Sequence, residues 1–173
     1  MNGQRSGTRT AAAGISGGER EDMRGAVQAQ PAWLSRDQLT GWVLRLLTAV
    51  ALIADAVVHL RDAFYFDANA GSLITQGELF RVQAGVAIAV AVLVVLWPRW
   101  PTWVLAFLVS ASAVAAVVGY TYLNIGPFAG LPGMYEPSWG PPGKLLSAYA
   151  EGAGALLSLA GLGWALARRR RRH

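Results

Sequence analysis

The sequence predicts an all-α fold: a four-helix transmembrane bundle with both termini in the cytoplasm (N-in/C-in) and a disordered N-terminal tail. Three observations predict it. Four apolar stretches each approach the roughly 20 residues that cross a hydrocarbon core. Arginine is concentrated at alternate connections. Hydrophobic residues make up 54% of the chain and charged ones 14%, a balance soluble domains rarely show. The formal net charge of +5 would suggest nucleic acid if the basic residues lay among foldable polar segments, but they sit between and beyond the apolar runs, so no nucleic-acid partner is expected. Cysteine is absent, which excludes disulfides, thiolate metal sites, Cys-ligated iron–sulfur clusters and thiol redox chemistry within this chain.

Residues 1–38 are read as a disordered cytoplasmic tail, because up to about Ala32 they are mainly Gly, Ala, Ser, Thr, Arg and Gln without apolar period. The short run Ala11 to Ala13, broken by Gly14 and Gly17-Gly18, is too weak for a signal-peptide core, and Met23 offers an alternative start. The membrane domain covers 39–167, with spans at about 42–60, 79–97, 102–123 and 145–167. The first span carries Arg45, Asp55 and His59, and these charges require neighbouring helices. Between the second and third spans lies only Trp97-Pro98-Arg99-Trp100-Pro101, where prolines stop helices and tryptophans favour the interface, so a tight helical hairpin is expected. A basic cytoplasmic tail, 168–173, closes the chain.

Orientation follows from where Lys and Arg fall. Arg36 precedes the first span, Arg99 lies in the second connection and Arg168 to Arg172 follow the last span. The other two connections hold Asp62, Asp67, Glu78 and Glu136 beside only Arg61, Arg81 and Lys144. Both termini are therefore expected inside, in a multi-pass protein of a bacterial plasma membrane whose first partner is the lipid bilayer. The five-arginine run reads as a stop-transfer anchor ahead of a patch for anionic lipid headgroups.

Ionisable residues inside a membrane are costly, so their depth matters. With about 1.5 Å of rise per residue, Asp55 lies about 6 Å outward of the first span's middle, and Glu151 lies about 7 Å outward of the last span's middle. Asp55 and His59 are four apart and share a face with Thr48 and Leu52, which points them into the bundle. Glu151 runs along the small-residue stripe Gly154, Ala155, Ser158 and Gly161 or Leu162, and so faces protein. The same stripe would also serve a helix of a second copy or of another membrane subunit. Glu78 and Arg81 share a face of the second span with Gly85, with Gln83 pointing elsewhere, and Arg81 is placed to reach Asp55 or Glu151. The candidate polar cluster is thus Asp55, His59, Glu78, Arg81 and Glu151.

That cluster has two readings: internal pairing that fixes weakly attracted helices, or an outward-facing site that binds a ligand, relays protons or holds a cation. Asp55, His59 and Glu151 would be mixed oxygen and nitrogen ligands for a divalent ion. Asp-x-x-x-His alone is a weak metal signature, and the third ligand follows only from depth, so neither a metal nor a cofactor is expected. A haem held by two histidines of one chain is excluded, since His59 is the sole membrane histidine and His173 lies at the opposite side. No nucleophile elbow, phosphate loop or zinc-protease helix is present, which makes an enzyme the lesser class. The outer loop from Asn124 to Lys144 mixes Pro and Gly with Phe128, Met134, Tyr135 and Trp139, and its candidate residues are Tyr135, Glu136 and Trp139. It is expected to cap the bundle, beside the loop from Arg61 to Gly77.

The motifs Asp-Ala-Val-Val-His-Leu (Asp55 to Leu60), Gln-Gly-Glu-Leu-Phe-Arg-Val-Gln (Gln76 to Gln83) and Met-Tyr-Glu-Pro-Ser-Trp (Met134 to Trp139) resemble those of uncharacterised four-span integral membrane proteins of actinobacteria, over about Leu39 to Ala167. The resemblance implies the same four-helix plan and a bacterial plasma membrane, and transfers no activity. In architecture alone the chain also resembles DoxX-like proteins, four-span subunits associated with redox and quinone chemistry; no DoxX motif is matched, and no site residue is carried over. The expected function is a structural or accessory membrane component with an outward-facing polar cluster. A small transporter or proton-relay protein is the first alternative and a DoxX-like redox-associated subunit the second.

Overall fold

The computed structural model describes residues 35–140 and 143–171. Within them the chain forms four long helices: α1, Arg36–Ala63; α2, Gln76–Leu96; α3, Trp100–Tyr122; and α4, Lys144–Arg170. A single 3-10 turn, Phe64–Phe66, extends α1, and among the described residues there is no strand beyond the isolated bridges Ala70 to Thr75 and Phe128 to Leu131. All four helices are long and apolar enough to cross a membrane. The protein is a multi-pass, all-α membrane bundle. At about 1.5 Å per residue, the 28 residues of α1 and 27 of α4 extend about 40 Å, enough to cover the headgroups as well as the hydrocarbon.

Each expected span falls on one helix, but α1 and α4 run further than their apolar cores. Arg36 to Gln38, expected in the tail, form the first turn of α1, where Asp37 complements the positive end of the helix dipole. Arg168 to Arg170, expected as a basic tail, form the last turn of α4, where cations suit the negative end. The rest of the expected N-terminal tail, with Met23, and the end of the arginine run after Arg171 lie outside the described residues.

The helices alternate up and down, and α1 packs against α2 and α4 while α3 packs chiefly against α4. Arg171 lies 3.8 Å from Asp37, so the first and last helices end on the same face of the bundle. Arg99, in the short turn before α3, belongs to that end too, hereafter the arginine end; the two longer connections form the opposite, loop end. Arg45 also leans toward the arginine end, its guanidinium 4.8 Å over the Trp42 ring, as a snorkelling arginine does.

Small residues set the spacing. The core consists of Ala56, Ala84, Ala87, Ala91 and Ala106 with Leu52, Val90, Val94 and Trp103, while Leu46, Val50, Val57, Leu105, Leu108 and Leu156 are exposed on the outside, where lipid would solvate them. A methyl group added at Gly161 would run into the Trp103 ring, and one at Gly154 would come within 2.6 Å of Ser110 Oγ. The glycine stripe of α4 is therefore taken up by α3 of the same chain.

The turn into α2 is closed by a reciprocal cap, in which Thr75 Oγ1 accepts from the Glu78 amide at 3.0 Å and Glu78 Oε2 accepts from the Thr75 amide at 2.8 Å. At the α2 to α3 turn, Thr102 Oγ1 donates to the Trp97 carbonyl at 2.8 Å and Pro101 occupies the first turn of α3, where its missing N–H costs nothing. Gly161→Ala should lower thermal stability by about 1–3 kcal/mol through overpacking against Trp103. Gly163→Ala, where the added methyl meets open space, should leave it unchanged or slightly raised. Melting curves of the two variants in the same detergent check this contrast.

Candidate functional site: a buried carboxylate–histidine cluster beneath a cavity

One turn of α1 separates Asp55 from His59, and both face inward on the stripe that also buries Thr48 and Leu52. From α4, Ser147 and Glu151, likewise one turn apart, face the same point. Asp55 is 2% exposed, His59 8% and Glu151 1%, so the three are withdrawn from both water and lipid. His59 Nδ1 lies 2.9 Å from Asp55 Oδ1 and 3.1 Å from the Asp55 carbonyl oxygen. A backbone carbonyl accepts and never donates, so Nδ1 carries a ring hydrogen, and in the neutral ring Nε2 presents its lone pair. Nε2 faces Glu151 Oε1 at 3.9 Å.

Ser147 joins the two helices. Its hydroxyl lies 3.1 Å from Asp55 Oδ1 and 2.8 Å from Glu151 Oε1, a single O–H between two carboxyl oxygens. Glu151 Oε2 is buried with no partner at all. With both carboxyls ionised the cluster holds more acceptor oxygens than hydrogens to satisfy them, an expensive state in a low-dielectric interior.

Above the cluster, toward the loop end, lies a cavity of about 550 Å³. His59 and Ser147 form part of its lining, with Asp62, Gln83, Tyr120, Glu136 and Lys144 as further polar groups and Leu79, Phe80, Val82, Val86 and Val117 as apolar wall. Phe80 meets the His59 ring edge-on at 5.0 Å and Phe66 at 5.4 Å, which braces the imidazole from the α2 side. The roof is the loop before α4, with Gly133, Met134, Tyr135 and Glu136 turned to the cavity. Two side chains hold that roof down. Lys144 Nζ donates to the carbonyls of Glu136 at 2.5 Å and Ser138 at 2.8 Å. Asn69 Nδ2 donates to Gln76 Oε1 at 2.5 Å and to the Gly133 carbonyl at 2.9 Å, tying the two loops together.

Of the five residues expected in the cluster, Asp55, His59 and Glu151 come together, and Glu78 and Arg81 do not. Arg81 turns away and grips Asp67 with two hydrogen bonds of 2.6 and 2.8 Å on the exposed surface. The 3-10 turn that follows α1 brings Asp67 over the start of α2, within closer reach than the buried acids, and the pair keeps its water. Glu78 is spent on the cap of α2. Gln83, on a different face from Glu78 and Arg81 as its spacing implies, lines the cavity with its amide nitrogen buried and unpartnered. Of the loop candidates, Tyr135 and Glu136 line the cavity. Trp139 instead stands at its side, 5.2 Å from Lys144 Nζ and 6.4 Å from the Tyr122 ring, and Phe128 is 71% exposed.

Ser147 and Asp62 are the functional-site residues that the sequence does not single out. Only Ser147 left a signal, a hydroxyl one helical turn before a buried acid. Outside the spans, the Arg81 guanidinium holds the Asp67 carboxyl below the usual aspartate range, and hydrogen bonds from Ser138 hold Glu136 below the glutamate range.

No family model, curated protein or solved structure matches the chain. Because the folded chain depresses the Asp67 pKa, the Arg81 pair contributes stability above the unfolded value of about 3.9 and loses it as pH falls through the folded value. The difference in melting temperature between the unaltered protein and Asp67→Asn should accordingly be present at pH 7 and shrink below about pH 4. A difference that persists undiminished at pH 3 would contradict the pairing.

Proposed function

We propose that this is a plasma-membrane protein with its arginine end in the cytoplasm, whose cavity opens outward and binds a small amphipathic molecule drawn from the outer leaflet. One observation carries the reading: the cavity combines a polar floor with an apolar side opening between α2 and α3. These two helices converge near their short turn, where Val90, Ala91 and Val94 are buried with Trp103 and Ala106. Toward the loop end they part, and Val82, Val86, Ser112 and Ala116 line the cavity while remaining exposed on the lipid side. A molecule lying in the bilayer would enter sideways, place its polar group among His59, Asp62, Gln83 and Tyr120, and leave its apolar part between the helices. A volume of about 550 Å³ falls within the range of small-ligand pockets.

The charge distribution supports the orientation. Among the described residues the arginine end carries Arg36, Arg45, Arg99 and Arg168 to Arg171 against Asp37 alone, whereas the loop end mixes Arg61, Arg81 and Lys144 with Asp62, Asp67, Glu78 and Glu136. Binding of this kind belongs to carriers and to ligand-holding accessory subunits, and it requires no catalytic residue.

A second reading, in which the buried cluster serves structure, is favoured by Ser147, whose hydroxyl ties Asp55 on α1 to Glu151 on α4. The two readings separate by variant. Ala116→Trp narrows the opening without touching the cluster, and should abolish recovery of a co-purified amphipathic molecule, measured by native mass spectrometry from nanodiscs, while sparing the melting temperature. Ser147→Ala should lower stability by about 1–3 kcal/mol whichever reading holds. If the unaltered protein and Ala116→Trp release the same molecules in the same amounts, the ligand reading fails. Reporter fusions at the beginning and end of the chain should both be active only on the cytoplasmic side, and activity on opposite sides would refute the orientation.

A further inference from the structure

We infer that Asp55, His59 and Glu151 form a binding site for a divalent transition-metal ion of the Zn²⁺ class. This site adjoins the amphipathic-ligand pocket above it, shares His59 with it, and does not depend on that pocket being filled. One donor atom from each of the three residues lies within 4.8 Å of the other two, and all three side chains are buried. Donors at about 2.1 Å from a tetrahedral ion stand about 3.4 Å apart, so the 3.9 Å between His59 Nε2 and Glu151 Oε1 needs only a small closure around an ion.

Four further features fit the ion. The hydrogen bond from Nδ1 to the Asp55 carbonyl sets the tautomer in which Nε2 is free to ligate, the arrangement found behind most metal-bound imidazoles. Glu151 Oε2 is buried and unpartnered beside the proposed ion position, an acceptor for which the protein provides no hydrogen. Among the described residues no Lys or Arg pairs with either acid, since Lys144 is held by the Glu136 and Ser138 carbonyls and Arg81 by Asp67. With both carboxyls ionised the cluster carries more negative charge than His59, 2.9 Å from Asp55 and 3.9 Å from Glu151, can balance at a depth where isolated charge is costly, and a bound dication supplies the balance. Finally, His59 and Ser147 line both the cluster and the cavity, which provides an entry path, with Asp62 and Glu136 along it to attract a cation. Nitrogen and oxygen donors without sulfur suit Zn²⁺ or Co²⁺ and not a thiophilic ion such as Cu⁺.

The test uses the full-length chain without an affinity tag, purified in nanodiscs and stripped with a chelator. Titration with Co²⁺ should produce a saturable visible absorption band at one ion per chain, abolished stoichiometrically by Zn²⁺. Glu151→Gln, which keeps the shape of the side chain, and His59→Ala should each weaken Co²⁺ binding at least tenfold, while Arg81→Gln should leave it unchanged. Circular dichroism and size exclusion establish that each variant is folded, and the unaltered protein decides the matter even if a variant is not. No saturable band in the unaltered protein, or equal affinity in Glu151→Gln and the parent, would overturn the site. Retention of Co²⁺ by Ala116→Trp after loss of the amphipathic molecule would separate the two sites, and an ion that binds where no such molecule is ever found leaves the metal site standing alone.

Discussion

Hydrocarbon offers no hydrogen-bond partner, so backbone and side-chain polar groups that enter it are driven toward partners within the protein, and the arrangement of this molecule follows from that demand. It makes the backbone helical across each span. It also explains why the polar residues of α1 and α4 meet: Asp55, His59, Ser147 and Glu151 have only one another to turn to. Residues with access to the aqueous rim behave otherwise. Arg81, Asp67, Glu78 and Lys144 find partners in loops and caps near water, where the cost of staying hydrated is small.

Close approach of helices is the second condition, because lipid removes the hydrophobic incentive for association. Alanine and glycine at the contacts let α4 lie against α3 through Gly154 and Gly161, and Gly41 accommodates Trp164 in the same way between α1 and α4. The unevenness of this packing produces the cavity. Near the α2 to α3 turn, alanines and Trp103 close the bundle; toward the loop end Phe80, Val82 and Tyr120 line the gap, and the Asn69 and Lys144 hydrogen bonds set the loops above it. The cavity and the buried cluster thus share His59 and Ser147 as a common boundary, which puts an acceptor-rich site at the end of an accessible path.

Much of the architecture was legible in the chain itself. Four apolar runs of membrane length, the tight Trp-Pro-Arg-Trp-Pro turn and the even number of crossings lead directly to the observed bundle, because each depends on local composition and length alone. Part of the site was legible for a similar reason. Helical periodicity places Asp55 and His59 on one face, and rise per residue places Glu151 at their depth, so that their meeting needs only that both faces turn inward. Arg81 shows where this reasoning stops. Depth allowed it to reach Asp55 or Glu151, but the path of the loop brought Asp67 nearer, and no periodicity encodes the path of a loop.

The sequence by itself determined the number of apolar helices long enough to cross, the burial of the Asp55 and Glu151 faces, and the separation of arginine from acid along the chain, since these are properties of one helix at a time. Tertiary structure alone decided that Ser147 bridges the two acids, that Glu151 keeps an oxygen without a partner, that Arg81 leaves the cluster and that α2 and α3 part to form a cavity. Those outcomes depend on distances of a few ångströms between side chains of different helices, set by interhelical angles and small-residue contacts, and a linear pattern carries no measure of either.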